Sequence, residues 1–369
     1  PRLLNGEFDI TRHRAVWPST GNYCRGGVAI SKILGCKSVA MLPEGMSKER
    51  FKWLEGWVSS PEDIIKTPGT ESNVKEIYDA CNKIAKDSNN LIINQFSEFS
   101  NYAIHRAVTG PSFEKSFIKV KGNSNLKARF YVCASGSSGT LAAGDYLKDK
   151  FNTSIAVVEA TECPTLLNNG YGEHNIQGIG DKHVPLIHNV MNTDFVVGIS
   201  DQATDNLNMI FNTEIGQQYL SKSKGLDSTF VQRLPEFGLS SIANILASIK
   251  LAKYMKLSGE DAIITVATDG ADLYLTELEK TKKEFVGSYD STTCAEIYGQ
   301  YLKGTTTDYM MELNQKDKER IFNLGYYTWV EQQGVDINHF EERRYQGFWK
   351  QHLQKMLDLD EEIDKFNNL

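Results

Sequence analysis

The feature that most constrains this chain is a recurring alternation. Short apolar runs of about five residues, rich in β-branched side chains, are separated by stretches with helical periodicity. The runs lie at 38–42, 91–93, 129–133, 154–158 and 262–266, and helical patterns fit 26–34, 74–85, 140–150 and 242–254. Such runs read as strands buried on both faces, which is the signature of a parallel α/β sheet. With 369 residues, of which 40% are hydrophobic, the chain can bury a sizeable core, so two lobes or two domains are expected. From about residue 275 the character changes to charged, aromatic-containing helix without strand runs, a helical appendage on the main body or on a partner subunit.

The net charge is −7 and no basic run occurs, so no nucleic-acid partner is expected. No stretch approaches the roughly 20 apolar residues that span a bilayer, and no signal segment is seen, so no membrane partner is expected either. Cys24, Cys36, Cys81, Cys133, Cys163 and Cys294 stand singly, without a CxxC pair, which fits reduced thiols in the cytoplasm. The chain opens at Pro1-Arg2-Leu3-Leu4, in mid-pattern and without Met, and further sequence upstream is expected.

Three polar or glycine-rich loops follow strand candidates and open helices, the place where open α/β sheets hold ligands. The first is Ser19-Thr20-Gly21-Asn22-Tyr23, whose hydroxyls, amide and backbone N–H groups suit an anion, or simply cap a helix. The second is Ser135-Gly136-Ser137-Ser138-Gly139-Thr140, where glycines aim several N–H groups at one point and hydroxyls add donors. It matches neither GxxxxGK[ST], GxGxxG nor GxSxG, which favours a phosphate ligand that is not a nucleotide; a ligand-free turn is the competing reading. The third starts at Glu159 and continues through Ile176-Gln177-Gly178-Ile179-Gly180. His174, His183 and His188 have no metal-ligand spacing, so no metal is expected. Cys24 stands at a helix start that could acidify its thiol, with packing as the alternative role.

Taken together, the loops resemble those of fold type II pyridoxal-phosphate enzymes, the cysteine synthase and cystathionine β-synthase group of the tryptophan synthase β-like superfamily. The likeness runs in order over about residues 17–275. The 19–23 loop resembles the group's substrate-carboxylate loop, whose asparagine, here Asn22, contacts the cofactor. The run 42–47 with Arg50 resembles its next strand and turn. Gln95-Phe96, Asn101, His105 and Thr109-Gly110-Pro111 resemble the segment whose glutamine helps bind the carboxylate. The 135–140 loop resembles the phosphate loop, and Gly178 and Gly180 the run beside the cofactor. Thr268, or Asp269, falls where the group faces the pyridine nitrogen.

The resemblance implies a two-lobed α/β fold: 1–14 as a remnant of the large lobe, 15–112 as the small lobe, 113–275 as the large lobe, and 276–369 as a helical C-terminal extension. It implies pyridoxal phosphate as cofactor, a small amino-acid substrate (cysteine, serine, O-acetylserine, threonine or diaminopropionate), a homodimer, and β-elimination or β-replacement after removal of the α-proton. Tyr23 replaces the smaller threonine of many relatives, which narrows the substrate. The group's Schiff-base lysine should precede the carboxylate loop, yet residues 1–19 contain none. It is therefore expected upstream of Pro1; the alternative is a lysine-free binding or regulatory protein. A nucleotide-dependent oxidoreductase would need a glycine fingerprint that is missing.

Overall fold

A computed structural model describes residues 2–368 apart from 20, 71, 286 and 288, with only the backbone of 366. Two sheets organise the chain. The first contains β1 (Arg14–Pro18), β2 (Lys37–Pro43), β3 (Ile64–Thr67) and β4 (Asn90–Ile92), all parallel, in the order β3-β2-β1-β4. The second contains β5 (Lys127–Ala134), β6 (Ser154–Ala160), β7 (Phe195–Ile199), β8 (Asp261–Thr265) and β9 (Met310–Glu312), in the order β8-β5-β6-β7-β9. Here β9 alone runs antiparallel, pairing with β7.

The apolar runs become strands because helices cover both faces of the sheets. In β6 and β7 nearly every residue is buried, so the pattern is continuous rather than alternating. The expected parallel α/β architecture is present. Four strands lay outside the sequence reading: β1 and β3, short runs containing charged residues, β7, and β9 in the tail. The tail is also not wholly helical. Met310-Met311-Glu312 is too short to register as a run, yet it completes the sheet edge.

The first sheet is flanked by α1 (Asn22–Ile33), α2 (Lys48–Glu55) and α3 (Val74–Ile84). Next come α4 (Phe99–Ile104), α5 (Gly110–Lys121) and α6 (Leu141–Phe151). In α1 the buried residues Cys24, Gly27, Val28 and Ser31 recur at helical spacing, which fixes the face it turns inward. One large core lies between the second sheet and the helices Asp201–Asn212 and Leu239–Tyr254. The other face packs on α6 and on the C-terminal segment, with Phe322, Trp329 and Phe340 against Tyr131 and Leu147. Trp329 Nε1 donates to the Val184 carbonyl at 2.7 Å, so the extension is docked on the chain's own body. Among the described residues, no helix is long and apolar enough to cross a membrane.

In each sheet the chain moves outward from its first strand and then returns to that strand's other side. The topological switch points therefore lie between β1 and β4 and between β5 and β8. Loops at the carboxyl ends of these four strands diverge, and divergence is what leaves a crevice.

Candidate active site

The loop after β1 is stabilised from within. Ser19 Oγ accepts from Gly21 N at 2.9 Å, and Ser19 N donates to the Met41 carbonyl at 3.0 Å. Asn22 and Tyr23 open α1. The Tyr23 ring meets Trp17 edge-on at 5.5 Å, and burial raises its phenol above the ordinary range. Thr20 lies outside the described residues. Cys24 is fully buried and its thiol is pushed up to about 12 by desolvation, so the packing role holds rather than an acidified thiol.

After β4 come Gln95, Asn101 and His105. Asn101 Nδ2 donates to the Gln95 carbonyl and to Ser137 Oγ, both at 3.1 Å, which ties the loops of the two sheets together. Beyond α4 the helix widens into a π turn, His105–Thr109, a distortion frequent at functional sites. His105 Nδ1 is 2.9 Å from Thr109 Oγ1, and burial lowers the imidazole pKa.

After β5 the chain makes the serine-glycine loop. Ser135 N donates to the Val158 carbonyl at 3.2 Å, Gly180 N to the Ser135 carbonyl at 2.8 Å, and the Ser135 and Ser138 hydroxyls are 3.2 Å apart. The loop is thus fastened to β6 and to the 176–180 run. Tyr131 OH donates to the Thr140 carbonyl at 2.8 Å just before α6 begins. After β8, Thr268 Oγ1 is 3.4 Å from Ser240 Oγ. Asn244 accepts from Ala134 N at 2.7 Å and donates to the Val266 carbonyl at 2.8 Å, holding the ends of β5 and β8 together.

These pieces enclose a cavity of about 320 Å³ between the sheets. Of the residues expected from sequence, Ser19, Asn22, Tyr23, Gln95, Gly136, Ser137, Thr140, Gly178 and Thr268 line it. Ser135, Ser138 and Gly180 face a smaller cavity of about 20 Å³ beside it, together with Glu159, Asp181, His183 and His188. Gly139 packs on Asn101, and Gly21 packs on Arg50. Asp269 does not line the cavity; its carboxylate pairs with Arg25 and Arg50. Glu159 accepts from Leu166 N and Leu167 N at 2.9 and 2.8 Å, and burial pushes it up to about 7. Of the three histidines near the third loop, His174 and His188 are buried and His183 is half-buried, and desolvation depresses all three: His174 to about 4, His183 and His188 to about 3.

Sequence reasoning left four polar lining residues, Asn101, His105, Ser240 and Asn244, without a role. The last two stand at i and i+4 on one face of the helix Leu239–Tyr254, a signal that was available. Among the described lining residues there is no carboxylate and no lysine. Neutral hydroxyls, amides and the backbone at the start of α6 suit a phosphate dianion on one wall and a carboxylate on the other. The cavity therefore fits pyridoxal phosphate with an amino acid beside it.

No protein-family model matches the chain. Cysteine synthase B of Campylobacter jejuni is 30% identical to it over 256 residues, covering 68% of this chain and 75% of that protein. A probable cysteine synthase of Bacillus subtilis is 26% identical over 261 residues, covering 70% and 75%. Among solved structures, a hydrogen sulfide-producing enzyme from Fusobacterium nucleatum aligns with a TM-score of 0.59 at 25% identity, over 75% of this chain and 76% of that one. Cysteine synthase from Entamoeba histolytica aligns with a TM-score of 0.61 at 22% identity, over 81% and 79%, which bears on the fold. The chain belongs to the cysteine synthase family of fold type II pyridoxal-phosphate enzymes.

Proposed function

We propose that the protein uses pyridoxal phosphate to carry out β-replacement or β-elimination on a small L-amino acid of the serine, O-acetylserine or cysteine kind. One observation carries this reading: the loops that follow all four strands at the two switch points converge on one cavity whose described lining residues include no carboxylate. The bound cofactor supplies an electron sink that acidifies the substrate α-proton. The protein's part is positioning. The 135–140 loop and the start of α6 hold the phosphate through neutral donors, with Gly178 and Gly180 shaping the adjoining wall. Thr268, rather than Asp269, offers its hydroxyl at the ring's far end. Ser19, Thr20, Gly21, Asn22, Tyr23 and Gln95 hold the substrate carboxylate. With the carboxylate anchored, the α-proton and not the carboxylate is the group aligned for cleavage, and a β-substituent then leaves.

No lysine lines the cavity among the described residues. In this reading the lysine that the family uses to hold the cofactor and move the α-proton lies outside residues 1–369. Borohydride reduction of the full-length protein followed by peptide mapping should leave no pyridoxyl group on Lys32, Lys48 or any other lysine of this numbering. An adduct on one of them would overturn that assignment, and no adduct anywhere would favour a binding or regulatory role on the same fold.

In this reading 15–112 form the lobe around the first sheet and 113–275 the lobe around the second, with 1–14 as connection and 276–369 as an extension that lends β9 to the second sheet. The six free, buried cysteines support the cytoplasm as compartment, and family membership supports a homodimer.

A further inference from the structure

The cavity has walls from both sheets, and one carboxylate fastens them. Asp269 follows Thr268 in the loop after β8. Its Oδ1 is 3.2 Å from Nη1 of Arg25 on α1, and its Oδ2 is 3.2 Å from Nη2 of Arg50 on α2. Tyr274 joins the knot: its hydroxyl accepts from Arg50 Nη2 at 2.8 Å and donates to Asp269 Oδ2 at 3.3 Å. The Arg50 side chain is fully buried and that of Asp269 is 11% exposed, so water screens this pair weakly. Arg25, 20% exposed, also stacks on the Trp53 ring at 4.7 Å.

Two details connect the knot to the cavity. A Cβ on Gly21 would stand 1.5 Å from Arg50 Nη1, so the guanidinium lies directly against the 19–23 loop and only glycine admits it. On the other side, the Asp269 carbonyl accepts from Gly238 N at 2.8 Å, at the start of the helix that brings Ser240 and Asn244 to the cavity. One residue is thus bonded through its side chain to the support of the substrate loop and through its backbone to the opposite wall. A separate contact, Thr276 Oγ1 to Glu49 Oε1 at 2.7 Å, also links α2 to the second sheet's helices, so loss of Asp269 loosens the junction without parting it.

We propose that Asp269, Arg25 and Arg50 form a clamp that sets the spacing between the 19–23 loop and the Thr268 wall, and so act as positioning residues for the amino-acid substrate. The inference rests on the placement of the substrate carboxylate in that loop.

The test uses the full-length protein loaded with pyridoxal phosphate, in wild-type, Asp269→Asn and Arg25→Gln forms. Amide hydrogen exchange is followed at residues 21–28, and KM and kcat are measured for O-acetylserine with sulfide. In both variants we expect exchange in that segment to accelerate by about tenfold. KM should rise by about tenfold, more than kcat falls. Asp269→Glu should restore part of both. Unchanged exchange, or faster exchange with an unchanged KM, overturns the clamp as a positioning device. If Asp269→Asn does not fold, Arg25→Gln decides, because Arg50 still holds the carboxylate there. If the wild type turns over no amino acid, the functional proposal fails while exchange still decides whether the clamp exists.

Discussion

A methyl group on Gly139 would come within 2.4 Å of Asn101 Oδ1, and one on Gly136 within 3.0 Å of the Gly178 carbonyl. The serine-glycine loop is therefore closed to side chains by its own neighbours. Gly139→Ala should displace Asn101 and weaken cofactor retention by about tenfold. Gly136→Asp and Gly139→Asp should abolish retention while leaving far-UV circular dichroism unchanged, since a carboxylate there meets a phosphate dianion. If Asn22 and Gln95 hold the substrate as proposed, Asn22→Ala and Gln95→Ala should instead keep the cofactor and lose about a hundredfold in turnover. Cofactor absorbance after dialysis, set beside kcat, distinguishes the groups; identical behaviour would dissolve the division between phosphate and substrate walls. Tyr23 gives a further residue-scale expectation. Tyr23→Thr should shift kcat/KM toward substrates with longer β-substituents by about tenfold, and no shift would remove Tyr23 as the selecting residue.

At the scale of elements, the run that passes beside the cavity is held by carboxylates on the helix Asp201–Asn212. Asp201 accepts from Asn175 N at 2.6 Å and Ile176 N at 3.2 Å, and Asp205 accepts from Asn175 Nδ2 at 3.1 Å. Burial, with Glu162 beside Asp201, pushes both up to about 7. Glu159 is raised likewise. Their folded pKa values exceed the unfolded values of about 4, so the stability they contribute is greatest below about 4 and is lost as pH rises through about 7. The melting temperature should therefore fall between about pH 5 and about pH 8, and Asp205→Asn should flatten the slope. A slope unchanged by that substitution would contradict the shift.

The elements also show what could be read from residues alone. β2, β5 and β6 were legible because burial on both faces leaves an unbroken apolar run, and β4 and the edge strand β8, only partly buried, showed through their own short apolar runs. β1 was not, since Arg14 opens it and Pro18 closes it, although it carries the substrate loop. The serine-glycine loop declared itself by composition. Asn244 did not, because its place in the cavity is set by how a helix docks, which is not a local property of the sequence; His105 was named within the segment around Gln95, but its place in the cavity depends on where a π turn widens.

For the molecule as a whole, the two sheets act through their junction. The proposed substrate and cofactor walls come from different sheets, Asn101 to Ser137 and Asp269 to Arg25 and Arg50 join them, and the C-terminal segment buttresses the second sheet from outside. In the proposed function this junction anchors an amino acid by its carboxylate next to pyridoxal phosphate so that a bond at Cβ is broken. The most direct measurement is product analysis after incubating the cofactor-loaded, full-length protein with serine, O-acetylserine or cysteine, with and without a thiol or sulfide acceptor. The expected product is a β-substituted amino acid when the acceptor is present, or pyruvate with release of the β-substituent when it is not. Carbon dioxide release, or keto-acid exchange with the Cβ bond intact, would overturn the proposed function.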